Sequence, residues 1–264
     1  MLGVSPQAYY QWQRRQVQRA RTQALILSLV HSIRRQLPRL GTRKLWHELH
    51  KMQLRIGRDY LFKILKNNHL LVITKPRAYQ TTRSGPQPAR YPNLLRHHPP
   101  QAPRQAWVSD ITYLRLGNSH RFLAIVADAY TRRIVGYALS NRLDTQVVGQ
   151  ALLQAQLHNP SAQCLLHADQ GTQYNSNELA NLLHHFNLKG SMSRRGIPQD
   201  NAIAERIFGI LKNEFNLKQR YKNEEELYQN VHRAIHLYNH KRPHSSLNML
   251  SPVAFEQKIS SFLV

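Results

Sequence analysis

Three carboxylates are set apart by their surroundings. Asp110 falls inside Trp-Val-Ser-Asp-Ile-Thr-Tyr-Leu, a β-rich run whose alternation puts it on the same face as Val108, Leu114 and Leu116. A carboxylate on that face is costly unless it is paired or bound to metal. Asp169 ends Cys-Leu-Leu-His-Ala-Asp, just before Gln170-Gly171. The carboxyl end of a strand followed by a glycine turn is where α/β proteins present reactive groups. Glu205 lies in Asp-Asn-Ala-Ile-Ala-Glu-Arg-Ile-Phe-Gly-Ile-Leu-Lys, on a helical pattern whose apolar arc is Ala204, Ile207, Phe208, Leu211 and Phe215. Glu205 and Lys212, seven residues apart, share the edge of that arc and can reach past the packing toward a sheet. Each residue alone has an ordinary reading: Asp110 bonded to backbone amides or an arginine, Asp169 as turn or cap chemistry, Glu205 on a solvated helix surface.

The constellation says more than its members. Between Asp110 and Asp169 lie 58 residues, and between Asp169 and Glu205 lie 35. With this arrangement the chain resembles the DDE transposases and retroviral integrases, which use two Asp and one Glu with that second interval. It is most similar to the second-reading-frame (OrfB) transposases of the family named for insertion sequence three. The matching stretches are Trp107–Leu114, His167–Tyr174, Asp200–Glu205 with Lys212, and Tyr238–Leu247 with Pro252 after it; Tyr9–Trp12 and Gly41–Leu45 add to them at the front. Ala168 departs from the family's usual Ser, and Arg206 from a usual small residue, but neither change removes a carboxylate.

The resemblance implies a reaction. Asp110, Asp169 and Glu205 would hold Mg²⁺ (or Mn²⁺), two ions per active site about 4 Å apart, for DNA strand cleavage and transfer of a 3′-hydroxyl. Lys212 would grip DNA near the element's end. The partners implied are the element's terminal inverted repeats, target DNA, further copies of the chain on DNA, and a first-frame (OrfA) product or fusion. Two other readings stand beside it. One is a non-catalytic DNA-binding relative, against which the intact Asp110, Asp169, Glu205 and Lys212 argue. The other is a ribonuclease H-like nuclease without joining activity, for which the basic front would be surplus.

Other candidates are weaker. Asp128, beside Val126 and Ala124, reads as a structural carboxylate paired with Arg132 or Arg133. His232, His236 and His240 repeat every four residues, but with no acid or Cys nearby they suit packing or DNA contact better than metal. Arg194 and Arg195, before Gly196, belong to a loop expected to be mobile and near DNA.

The elements that must position these residues follow from the pattern. Ser5-Pro6 opens a helix running through Tyr9, Tyr10 and Trp12. A second helix is expected over Thr22–Leu37, a third from Gly41-Thr42, and a fourth carrying Leu61, Ile64 and Leu65 after a break at Arg55–Gly57. Helix, turn and helix, with Arg55, Arg58, Lys63 and Lys66 on or beside the last, is the pattern of a helix-turn-helix DNA reader. A plain helical bundle with solvated basic residues is the alternative. Residues 74–105 hold seven prolines and no acid, the composition of a basic linker. Strands are then expected over Ala106–Leu116, Arg121–Ala129 and Arg132–Ser140, with turns at Asn118-Ser119 and Tyr130-Thr131. A helix over Thr145–His158, a strand over Gln163–Ala168, a helix over Ser176–Phe186, a strand over Lys189–Ser193 and long helices beyond Asn201 complete the order. That order is a ribonuclease H-like α/β core with a mixed five-stranded sheet, preceded by an all-α helix-turn-helix region. The expected divisions are 1–73, the linker 74–105, the core 106–222 and a helical extension 223–264.

Charge bears on the partner. Lys and Arg number 37 against 14 Asp and Glu, a net charge of +23, and residues 1–109 carry 20 of the basic residues with only Glu48 and Asp59. A surface so poor in acid suits a polyanion, because Lys and Arg displace counterions from phosphates. An RNA-binding or membrane-surface protein shares that composition. Cys164 is the sole cysteine, which excludes a disulfide framework and a Cys-rich zinc site. The apolar stretch Ala24–Val30 is too short to span a bilayer, and no secretory leader pattern follows Met1. The chain is therefore expected to be soluble, cytoplasmic and nucleoid-associated, with no membrane partner.

Overall fold

The structure is a computed structural model that describes residues 5–73, 89–160 and 163–261. The chain divides into two compact units, Met1–Pro76 and Arg77–Val264.

The first unit is helical. Helix α1 (Pro6–Gln36) begins as its sequence dictates, with Pro6 at the first position and Ser5 Oγ accepting a bond from Ala8 N at 3.2 Å. It is a single helix of 31 residues, whereas two were expected. No Gly or Pro occurs between Pro6 and Pro38, so nothing in this Gln-, Arg- and Ala-rich stretch breaks the hydrogen-bond ladder. Helices α2 (Thr42–Lys51) and α3 (Arg58–Asn67) bury Leu45, Leu49, Leu61, Ile64 and Leu65; α1 buries Ile26 and Val30. Trp46 Nε1 donates to Ile56 O at 2.8 Å, which fixes the connection between α2 and α3. Arg34 donates to the carbonyls of Leu70 and Leu40 at 2.7 and 3.1 Å, tying the end of the unit back to α1.

The second unit is built on a sheet. Its elements are α4 (Leu94–His97), β1 (Ala106–Leu116), β2 (Ser119–Asp128), β3 (Ile134–Ser140), α5 (Thr145–His158), β4 (Leu165–Ala168), α6 (Asn177–His185), β5 (Lys189–Met192), α7 (Ala202–Asn213), β6 (Arg220–Tyr221), α8 (Glu224–His240) and α9 (Pro252–Ser260). The strand order is β3-β2-β1-β4-β5, with the short β6 pairing parallel to β1. The β1–β2 and β2–β3 pairs are antiparallel; β1–β4 and β4–β5 are parallel. This is the ribonuclease H-like core that the element order predicts, with one added strand. The first hairpin turns at Gly117-Asn118, one residue earlier than expected, because Leu116 pairs with Ser119 and Gly117 takes the positive φ of 53°.

Alternation along β1 separates two apolar layers. Ala106, Val108, Leu114 and Leu116 pack with residues of α7 and α8, among them Ile207, Leu211, Val231 and Tyr238. Trp107 and Ile111 point the other way, onto Val147, Leu152, Leu179 and Leu183 of α5 and α6. Helix α5 lies close on β3: a Cβ at Gly136 would come within 2.0 Å of the Ala151 carbonyl oxygen.

The expected divisions need correction at two places. From Arg90 onward the supposed linker packs on the sheet unit. Asn93 Nδ2 donates to Asp200 Oδ2 at 2.7 Å, Arg104 N donates to Asp128 Oδ2 at 2.7 Å, and the Tyr91 ring covers Gly190. Residues 74–88 of that expectation lie outside the described residues. The extension from 223 is likewise no appendage, since α8 buries Leu227, Val231, Ala234, Ile235 and Tyr238 in the same core as β1. Among the described residues, no helix is long and apolar enough to cross a membrane.

Candidate active site

Asp110 sits on the β1 face that α7 covers, opposite Ile125 of β2. Its Oδ1 accepts a bond from Ile111 N at 2.8 Å. Asp169 follows the last residue of β4. The parallel register matches Val108 with His167, so two residues further along each chain Asp110 and Asp169 stand abreast. Neighbouring strands lie about 4.8 Å apart, which fixes the spacing of the two backbones. Asp169 Oδ1 accepts from Gly171 N at 3.0 Å, and a Cβ at Gly171 would press on that same oxygen at 3.0 Å. A glycine there leaves the carboxylate room.

Glu205 comes from the first turn of α7, held over the sheet by buried Ala204, Ile207, Phe208 and Leu211. It lines a cleft of about 330 Å³ with Asp110, Thr112, Phe208, Gly209, Lys212, Asn213 and Lys218. Asp169 is outside this lining, yet its charge reaches Asp110. Burial first, and Asp169 second, push the Asp110 carboxyl up to about 7; Glu205 adds to the rise, while the Ile111 N–H and Lys212 oppose it. Lys212 lies with its Nζ 4.7 Å from the centroid of the Tyr113 ring. Burial lowers its pKa, and Asp110 opposes that shift. Among the described residues, no three His, Cys, Asp or Glu side chains converge closely enough to enclose one ion. Asp169 and Glu205 thus both lie within electrostatic reach of Asp110, without the three being closed on a point.

The remaining candidates divide. Arg194 is held by Asp200, through Nε and Nη2 at 3.0 Å each and through its backbone N at 2.9 Å. The pairing holds Asp200 well below the usual carboxylate range. The loop expected to be mobile is thus clamped, and Arg194 serves the clamp; Arg195 beside it is exposed. Asp128 is structural, but its partners are the amides of Arg104, Tyr130 and Thr131, because the turn after β2 folds back over it. Arg133 pairs instead with Glu256. His232 contacts Tyr137 Oη at 2.9 Å and His236 stacks on His240, with all three histidines on the exposed side of α8. In the helical unit Arg55, Arg58, Lys63 and Lys66 are all exposed, Arg58 beside Asp59 at 3.0 Å.

Some residues escaped the sequence reading. Lys218 joins the cleft from beyond the end of α7, where no periodicity pointed to it. The Tyr238–Leu247 motif proves to be a brace. Asn239 bonds both the N–H and the carbonyl of Ile134 at 2.9 Å. Arg242, nearly fully buried, grips Glu214 at the end of α7 at 2.6 and 2.8 Å. These contacts hold α7 to α8 and to the sheet.

One carboxylate on β1, a second just past the end of β4 and a third on a crossing helix stand on a ribonuclease H-like sheet. Two family models described as "Integrase core domain" match residues 100–198 and 187–252. A 31 kDa protein of insertion element IS600 from Shigella sonnei is 34% identical over 263 residues, 98% of this chain and 97% of that one. The transposase for insertion sequence element IS904 from Lactococcus lactis is 34% identical over 169 residues, 63% of this chain and 67% of that one. A chain of the simian T-cell lymphotropic virus intasome shares the fold, with a TM-score of 0.51 and 17% identity over 82% of this chain and 70% of its own. The chain belongs to the DDE-type insertion-sequence transposases, relatives of the retroviral integrases.

Proposed function

We propose that Asp110, Asp169 and Glu205 are the catalytic carboxylates of this transposase and hold divalent metal ions for cutting and joining DNA at the ends of its element. The observation that carries the reading is Asp110 itself, half-buried, abreast of Asp169 and facing Glu205 across a cleft. Burial and like-charge neighbours disfavour its ionised form, and divalent cations relieve both. The donor set fits. It is all carboxylate oxygen, with no His or Cys, which suits Mg²⁺ or Mn²⁺ better than Zn²⁺. When bound, two such ions supply activation of a water or 3′-hydroxyl and stabilisation of the leaving oxygen in an in-line displacement at phosphorus.

The chain's own groups do the rest. Asp110 on β1 and Asp169 just past β4 present carboxylate oxygens, and Glu205 brings a third on the helix that the Arg242–Glu214 brace anchors. Lys212, about 10 Å further along α7 at the helical rise of 1.5 Å per residue, offers its ammonium group to a DNA phosphate beside the reacting one. The exposed Arg55, Arg58, Lys63 and Lys66 contact the duplex as part of a helix-turn-helix, and the exposed Arg195 adds a phosphate contact. The active form is an oligomer on paired element ends, together with a first-frame product or fusion. The test is incubation of the full chain with duplexes carrying the element's terminal repeats, resolved on denaturing gels. Strand nicks and joined products are expected with Mg²⁺ or Mn²⁺ and absent with chelator. Equal cutting under chelation would overturn the metal assignment.

A further inference from the structure

Ser109, immediately before Asp110, is fully buried. Its Oγ lies 2.9 Å from the Ile125 carbonyl oxygen and 2.8 Å from Tyr174 Oη. A serine hydroxyl has one proton and a carbonyl can only accept. Ser109 therefore donates to Ile125 O, and the Tyr174 hydroxyl donates to Ser109. Tyr174, itself buried, closes the turn after β4 by donating its N–H to Gly171 O at 3.0 Å. Gly171 in turn donates to the Asp169 carboxylate. The backbone carbonyl of Ser109 accepts a third bond, from Nδ2 of buried Asn201 at 3.1 Å. Asn201 stands directly before α7, about one helical turn from Glu205. One residue of β1 is thus bonded to the turn that carries Asp169 and to the start of the helix that carries Glu205.

We infer that Ser109, Tyr174 and Asn201 are positioning residues, a buried polar junction that sets the spacing of the three carboxylate-bearing segments for metal binding. The inference rests on the metal-site reading above. Packing alone does not call for these groups, since Ala and Phe would fill much the same space with no hydroxyl to satisfy. Hydrogen bonds add direction, and these three converge where β1, the turn after β4 and the start of α7 meet. The carboxylates are near one another without enclosing a point. A preset backbone leaves only side-chain rotation for metal capture, which limits the conformational entropy lost on binding.

The test uses the full chain as wild type and as Tyr174→Phe, Ser109→Ala, Asn201→Ala and Ser109→Ala/Tyr174→Phe, with Asp110→Asn to define site-specific metal binding. Leu179→Ala, a core truncation in α6, serves as a stability control. Mg²⁺ and Mn²⁺ affinities are measured by calorimetry, melting temperatures without metal, and kcat as a function of metal concentration. Junction variants should lose about tenfold in metal affinity, as groups supporting ligands do. Their kcat should recover in part at raised Mn²⁺, and the double variant should lose little more than either single, because both break one bond. Leu179→Ala should lower the melting temperature while keeping wild-type metal affinity. Wild-type metal affinity in both Tyr174→Phe and Ser109→Ala, or losses that merely follow melting temperature as in the control, would overturn the junction and leave the metal site standing. If one of those two fails to fold, the other decides. Metal binding unaffected by Asp110→Asn would overturn the site reading and the junction with it.

Discussion

A carboxyl group pushed up to about 7 sets protons and metal ions in competition for Asp110. Its unfolded-state value is near 3.8, so from there up to about pH 7 the folded chain binds more protons than the unfolded chain. The contribution of Asp110 to the stability of the metal-free protein should therefore fall as pH rises through that window, by roughly 4 kcal/mol at most, and stay level above it. Urea denaturation with chelator across the window measures this, and Asp110→Asn should flatten the decline. The same pH dependence in wild type and Asp110→Asn would show that burial and the neighbouring carboxylates do not raise the Asp110 carboxyl. Lys212 offers a second test at this scale. Lys212→Ala should reduce the slope of log affinity against log salt for element ends by about one unit, as one lost phosphate contact requires; an unchanged slope would place Lys212 off the DNA path. The carboxylates were legible because a charge in an apolar run and a glycine after a strand are local signals. Ser109 and Tyr174 were not, because their bond joins residues 65 apart and neither residue type is unusual in a core.

Between residues and fold, the elements carry constraints of their own. A Cβ at Gly136 would lie 2.0 Å from the Ala151 carbonyl oxygen and 2.8 Å from Ala155 N, both backbone atoms of α5. Gly136→Ala must therefore lift α5 from β3 and should destabilise the sheet unit by about 1–3 kcal/mol, read as a lowered melting temperature. A wild-type melting temperature would mean that α5 lies further from the sheet. The strands of the hairpin region and α5 could be read from alternation, turns and caps, since β1 and α5 keep their expected bounds. The unbroken α1 was missed because its mostly polar first half buries little, so apolar periodicity could not join it to the half that packs. The role of α8 was hidden for a different reason. Its apolar stripe shows that it packs but not on what, and the bonds of Asn239 to Ile134 and of Arg242, just past its end, to Glu214 have no local sequence pattern.

For the molecule as a whole, charge is shared more evenly between the units than along the sequence. The helical unit holds 15 Lys and Arg against two acids, +13, and the sheet unit holds 22 against 12, +10. Five of the front half's 20 Lys and Arg lie in residues 77–109, within the sheet unit. A fragment of residues 1–76 should bind duplex DNA without metal, and a fragment of residues 77–264 should melt higher with Mg²⁺, as ligand linkage requires. Gel shifts and calorimetry check each part; selection of element ends by the sheet fragment alone would remove the helical unit from recognition. Starting the second fragment at 106 should destabilise it, because the Asn93–Asp200 and Arg104–Asp128 contacts would be lost. The central claim concerns three side chains acting in one intact chain. Its most direct test is a cutting and joining assay on element-end DNA with Mg²⁺, comparing wild type with Asp110→Asn, Asp169→Asn and Glu205→Gln. Each amide keeps the shape of the side chain and removes the charge that holds the ion. Cleavage and joining should vanish in all three while DNA binding stays within about twofold of wild type. Wild-type turnover by any one of them would contradict its place in the site.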